Sequence, residues 1–189
     1  MTQTDASDPA FFGYGSLVNL ATHRYAAPVP ATLPGWRRVW RATDRRELSY
    51  LSVDPDPGCA IDGVIAGVPS ADWAALDERE AGYTRVDVTE TLGAHRPTAV
   101  YRVSDAIVLG PDAPGGILLS YLDTVAQGFL QLYGEDGLAR FFDTTEGWDT
   151  PVHDDRAAPR YSRYTGVPAD QRALVDRHLS RLGAEKVPA

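Results

Sequence analysis

Phe12-Gly13-Tyr14-Gly15-Ser16-Leu17 is the stretch on which the reading of this chain turns. With Ala10 and Phe11 before it, an apolar, aromatic run of strand type feeds straight into a Gly-X-Gly turn. Two glycines flanking Tyr14 allow a tight bend and a close approach of the backbone to a ligand. Successive N–H groups in such a turn form a nest that binds a carboxylate or an oxyanion without Lys or Arg. The later glycine and the Lys-Ser/Thr pair of a phosphate loop are missing. Taken alone, the motif also fits an ordinary Gly-rich turn.

Outward from this turn, strand-like runs are expected at Trp36–Ala42, Leu48–Val53, Ile61–Val68, Thr84–Thr91 and Ala99–Val103, separated by Pro/Gly/Asp clusters such as Asp54–Gly58. A helix over Ala71–Glu80, capped by Ser70 and ended by Gly82, interrupts them. Two helices come late. Leu118, Leu122, Val125, Phe129 and Leu132 recur at helical spacing, and a second helix starts at Pro168 and buries Leu174, Val175, Leu179 and Leu182 before Gly183. Residues 134–166 read as a short helix plus loop. Strands early and helices late predict an α+β domain over 10–185, with a small mixed or antiparallel sheet, curled or barrel-like, and flanking helices, rather than a doubly wound sheet. Residues 1–9 read as a loose tail.

The chain has 189 residues, 43% of them hydrophobic, and a formal charge of −8. That balance argues against nucleic acid or an anionic membrane as partner, since both call for clustered cations. The N-terminus lacks a signal-peptide pattern and no apolar run reaches the ~18 residues of a membrane span, so a soluble, cytoplasmic protein is expected. The single Cys59 excludes an internal disulfide and has no basic neighbour in sequence to activate it. His23, His95, His153 and His178 are scattered without metal-ligand spacing. His153-Asp154-Asp155 reads as a solvated loop, and Ser16 is not centred in a Gly-x-Ser-x-Gly elbow.

Glu80 is the acidic residue of interest. At about 100° per residue it shares a helix face with Trp73 and Leu76, while Glu78 points away. A carboxylate aimed along an apolar stripe would have its pKa raised toward the range of an acid/base catalyst. The same spacing also allows a frayed last turn in which Glu80 reaches solvent or pairs with Arg85.

Tyr14-Gly15-Ser16-Leu17 followed at this distance by Leu76-Asp77-Glu78-Arg79-Glu80 and Tyr83 resembles the gamma-glutamylcyclotransferase-like superfamily. Leu33-Pro34-Gly35-Trp36-Arg37-Arg38, Asp62-Gly63-Val64-Ile65 and Ser120-Tyr121-Leu122-Asp123 with Gly128-Phe129 are similar to that family's intervening strands and helix, so the likeness spans roughly residues 10–135. It implies an enzyme that cyclises a γ-glutamyl group to 5-oxoproline and releases an amine, amino acid or peptide, with no metal or cofactor. Its partner would be a small γ-glutamyl substrate. By the same resemblance Glu80 is the general acid/base, the backbone around Gly15, Ser16 and Leu17 binds the substrate's oxyanion and carboxylate, and Tyr14 and Tyr83 line the pocket. Leu17 stands where the cyclotransferases proper often have Asn. The Arg-Gly-Thr-type segment of the glutathione-degrading ChaC-like branch is not evident near Arg45-Arg46-Glu47, and residues 145–166 match neither branch. That last segment is expected either to close the pocket, with Arg160 or Arg163 on a substrate carboxylate, or to be an exposed, salt-bridged loop. The readings from another class or pathway are a non-catalytic module that binds a carboxylate metabolite, and an enzyme acting on a biosynthetic γ-glutamyl amine.

Overall fold

A computed structural model describes residues 8–25, 28–110 and 113–189. Most of the expected tail lies outside the described residues. Of its last two residues, Pro9 accepts a hydrogen bond from the Val68 N–H at 2.8 Å and Asp8 one from Arg96, so the chain is tied down from residue 8 onward.

The fold is α+β. Strand β1 (Ala10–Gly13) lies between β3 (Arg46–Gly67), to which it is antiparallel, and β5 (Thr98–Val103), to which it is parallel. Strand β2 (Val29–Thr43) forms a long antiparallel hairpin with β3, β4 (Tyr83–Asp87) flanks β5, and the short β7 (Thr145–Glu146) adds to β2. The order β4-β5-β1-β3-β2-β7 makes a six-stranded, curled mixed sheet. Helix α1 (Trp73–Arg79) sits between β3 and β4, α2 (Leu119–Asp143) follows β5, and α3 (Ala169–Leu182) comes near the end.

Period-2 alternation explains how the sheet is clothed. Phe12 joins the main core with Leu33, Val64 and Val100 of the sheet, Leu122, Val125 and Phe129 of α2, and Val175 and Leu179 of α3. Its neighbour Phe11 faces the other way, into a smaller cluster with Val68, Leu76 and Tyr101 beneath α1. The sheet is therefore covered on both faces.

The local readings need correction in several places. Leu48–Val53 and Ile61–Val68 belong to one strand. The Asp54–Gly58 cluster is a bulge in it, where Pro34 pairs with Ala60 but Trp36 pairs with Pro55, and the Pro residues are tolerated because the ladder is already interrupted there. The cap of α1 is Asp72, whose carboxylate accepts from the Ala75 N–H at 3.1 Å; Ser70 sits in a preceding turn with φ 55. The fourth strand ends at Asp87 rather than Thr91. Helix α2 runs through Gly134, where the backbone breaks locally (φ 67), to Asp143, so the short helix expected after residue 134 continues α2. The α2 face opposite the apolar repeat is buried as well, because Asn19 of the 16–22 turn bonds Thr124 and Gln127, and Gly128 lets that turn come against the helix backbone. A second sheet of three short parallel strands, β6 (Ile117–Leu118), β8 (Val152–Asp154) and β9 (Lys186–Pro188), had no periodic signal of its own. Among the described residues no helix is long and apolar enough to cross a membrane.

Candidate active site

At the end of β1 the chain leaves the sheet through Tyr14 and Gly15 into a single 3-10 turn, Ser16–Val18, closed by the Val18 N–H on the Gly15 carbonyl at 2.9 Å. The first N–H groups of such a turn precede any carbonyl within it that could accept from them. A Cβ on Gly15 would lie 2.7 Å from the Tyr121 hydroxyl and 3.2 Å from Leu51, so this approach of backbone to side chain calls for glycine.

Arg38 holds the turn from below. It is fully buried in β2, donates from Nε to the Tyr14 carbonyl at 2.9 Å and from Nη1 to the Thr144 hydroxyl at 2.9 Å, and reaches the Asp62 carbonyl with Nη2. The rings of Phe129 and Phe141 lie 4.9 and 5.1 Å from its guanidinium carbon. Burial lowers its pKa to about 10, which still leaves the cation charged at neutral pH. From the sequence this role was missed. A signal did exist: Trp36, Arg38 and Trp40 share one face of a strand by alternation, and an arginine between two tryptophans on an inward face has to be paid for by buried acceptors.

Opposite the turn, α1 ends at Glu80. Its N–H donates to the Leu76 carbonyl at 2.9 Å, and its carbonyl accepts from the Tyr83 N–H at 2.9 Å. Leu76 is buried, Glu78 exposed and Glu80 half-buried, as the helical spacing predicts. Arg85 engages Asp77 at 3.4 Å and lies over the Trp73 ring.

The turn and Glu80 line the same cleft, of about 410 Å³, which also takes in Tyr83, Tyr121 and Arg46. All six predicted site residues, Tyr14, Gly15, Ser16, Leu17, Glu80 and Tyr83, are thus brought together. Tyr14 turns its hydroxyl inward, donating to the Tyr101 carbonyl at 2.6 Å, and Tyr83 donates to the Leu51 carbonyl at 3.0 Å, so both tyrosines are also braces between strands. Burial pushes the hydroxyls of Tyr14, Tyr83 and Tyr121 upward, and the Glu80 charge acts on all three in the same direction. Tyr121, which had been read only as part of a helix motif, is therefore a member of the site.

The remaining wall is Arg160–Arg163. Asp155, expected in a solvated loop, is buried instead and accepts from the Ser120 N–H at 2.7 Å, from the Ser120 hydroxyl and from the Arg160 N–H at 2.9 Å. Arg156 forks onto Asp123 with two bonds of 2.7 Å and reaches Asp176 at 2.9 Å. Residues 155–163 are accordingly moored to the start of α2 and to α3, and Tyr161 packs edge-on against Tyr121 at 5.0 Å. The exposed-loop reading thus describes the Arg160 and Arg163 side chains but not the backbone that carries them.

Residues 11–116 match the gamma-glutamyl cyclotransferase, AIG2-like family. Among solved structures, the chain is similar to the human uncharacterized protein loc79017 (15% identity, 88% of this chain and 97% of that one, TM-score 0.51). It is also similar to a gamma-glutamyl cyclotransferase (14% identity, 89% and 98% covered, TM-score 0.50) and to YkqA from Bacillus subtilis (17% identity, 94% and 55% covered, TM-score 0.50). At these identities the likeness is one of fold. No curated protein matches the chain in sequence. With more than half of its length matched, and with the turn, the hairpin and Glu80 all inside the matched stretch, the chain belongs to the gamma-glutamyl cyclotransferase, AIG2-like family.

Proposed function

We propose that the protein cyclises a γ-glutamyl group to 5-oxoproline and releases the attached amine, amino acid or peptide. The substrate's α-nitrogen attacks its own γ-carbonyl carbon, a C–N bond forms as the ring closes, and the original γ-amide C–N bond breaks. The two protons lost by the α-ammonium end on the departing nitrogen, and no water is consumed. The attacking nitrogen belongs to the substrate, so the protein's work is to fold the chain for ring closure, move protons and stabilise charge.

Glu80 takes the ammonium proton and returns one to the leaving nitrogen. In this reading the main-chain N–H groups of the Gly15–Leu17 turn, with the Tyr121 hydroxyl that Ser16 bonds, serve the developing oxyanion and the α-carboxylate, and Tyr14 and Tyr83 shape the pocket around the glutamyl chain. The observation that carries this reading is that Glu80 and the Tyr14–Leu17 turn, 60 or more residues apart in sequence, line one cleft of small-molecule size. Main-chain donors let an acidic protein hold the substrate's α-carboxylate in this way.

The test is incubation with a panel of γ-glutamyl amino acids, peptides and amines, with 5-oxoproline measured by mass spectrometry. Glu80→Gln is expected to lower kcat by roughly 10²–10⁴ with the fold intact. Release from no member of the panel would leave the carboxylate-binding module as the better reading, and an unimpaired Glu80→Gln enzyme would remove Glu80 from the mechanism.

A further inference from the structure

We propose that Arg160, Tyr161 and Arg163, together with Arg46, form a leaving-group subsite that selects a departing amine bearing a carboxylate. On this view the substrate is a γ-glutamyl amino acid or short peptide rather than a γ-glutamyl amine. The proposal rests on the cyclotransfer reading of the same cleft and adds the identity of the group that leaves.

Three observations carry it. The first is charge. In a chain of net charge −8, three arginines converge on one cleft, and among the described residues no carboxylate pairs with Arg160 or Arg163. Arg24 and Arg177 are also exposed without a carboxylate partner among those residues, but of these four arginines it is Arg160 and Arg163 that line the cleft. Arg46 lies over the Tyr50 ring at 3.9 Å, and its charge acts on the hydroxyls of Tyr83 and Tyr121, as does that of Glu80. Arg46 and Glu80 line the same cleft.

The second is an orphaned polar atom. Tyr161 lines the cleft, and its hydroxyl is buried without a hydrogen-bond partner among the described residues. A buried hydroxyl left unpaired is costly, and a ligand oxygen would satisfy it. The third is construction. Asp155 binds the Arg160 N–H and Arg156 grips Asp123, so the backbone presenting these side chains is fixed although the side chains are free to adjust. This segment lies beyond residue 116, past the stretch that matches the family.

Chemistry links the three. Attack at the γ-carbonyl is the same for every γ-glutamyl amide, so members of the substrate class differ only beyond the scissile nitrogen. An amino-acid or peptide leaving group places a carboxylate there, which guanidinium groups and a phenolic donor recognise. A simple alkylamine offers them nothing.

The experiment compares kcat/KM for γ-glutamyl-alanine, γ-glutamyl-alanyl-glycine and γ-glutamyl-ethylamide, the last being the first without its carboxylate. At least one acid substrate is expected to be preferred over the ethylamide by roughly ten- to hundredfold. Arg160→Gln/Arg163→Gln is expected to collapse that preference toward one, and Tyr161→Phe, which keeps the ring on Tyr121, to reduce it in part. Equal turnover of acid and ethylamide, or a preference untouched by the double substitution, overturns the subsite and leaves the cyclotransfer reading standing. Release of 5-oxoproline from none of the three removes the reaction and the subsite with it.

Discussion

The wall of the cleft formed by Tyr14–Leu17 and the wall formed by residues 155–163 are held by different kinds of force. The first continues from a central strand, with a ladder on both sides and a fully buried arginine beneath its bend. The second has no ladder of its own beyond Asp154 and hangs from two carboxylates, its own Asp155 on Ser120 at the start of α2 and Asp123 of α2 on Arg156. Strand-and-cation support fixes main-chain donors in place, while carboxylate mooring fixes a backbone and leaves its side chains adjustable. On the proposed mechanism, a constant reaction and a selectable leaving group call for these two kinds of support respectively.

The largest effect is expected from breaking the first wall. Arg38→Met removes the donor for the Tyr14 and Asp62 carbonyls and the Thr144 hydroxyl, leaving buried acceptors unpaired. A stability loss of ~3–5 kcal/mol in urea unfolding is expected, with activity abolished at temperatures where the chain remains folded. Breaking the second wall should be milder. Asp155→Ala frees Ser120 and Arg160 and is expected to cost ~2–3 kcal/mol. KM should rise while kcat stays close to that of the parent, because Glu80 and the 14–17 turn are untouched. If Asp155→Ala instead lowered kcat with KM unchanged, the division of labour between the walls would be wrong.

The smallest effect sharpens the comparison through pH. Burial works to raise the Asp176 carboxyl, but hydrogen bonds from Arg156 and Lys186 outweigh it, so its pKa lies below the ordinary 3.8. A carboxyl with a depressed folded-state pKa stabilises the fold above its unfolded value and loses that contribution as pH falls through the folded one. The Asp176 contribution should therefore fade below about pH 4, against the opposite effect of Asp123, whose carboxyl burial raises, and Asp176→Asn should flatten that part of the acid limb in thermal melts recorded from pH 3 to 6.

What could be read from the sequence, and what could not, follows the same division. Glu80, Leu76 and Trp73 were legible because helical spacing is a local property, and the 12–17 turn because its glycines are adjacent. The cap of α2 was not. Leu118, at the cap position, has no capping side chain, and the acceptor for the Ser120 N–H is Asp155, 35 residues beyond Ser120. The continuity of β3 was hidden because Asp54-Pro55-Asp56-Pro57-Gly58 has the composition of a turn, whereas the pairing of 15- and 22-residue strands absorbs it as a bulge. Arg156 looked like one charge among many, and its partners Asp123 and Asp176 come from two different helices.

The three phenols around Glu80 have a consequence for kinetics. Tyr14, Tyr83 and Tyr121 are all held protonated well past neutrality, so they act there as fixed dipoles and not as acids in equilibrium with solvent. On the proposed mechanism the alkaline side of the rate profile is then silent with respect to these residues. A rise in kcat/KM toward higher pH would report the substrate's own ammonium losing its proton, and it should move with the substrate's amine pKa when the glutamyl group is replaced by an analogue of different basicity.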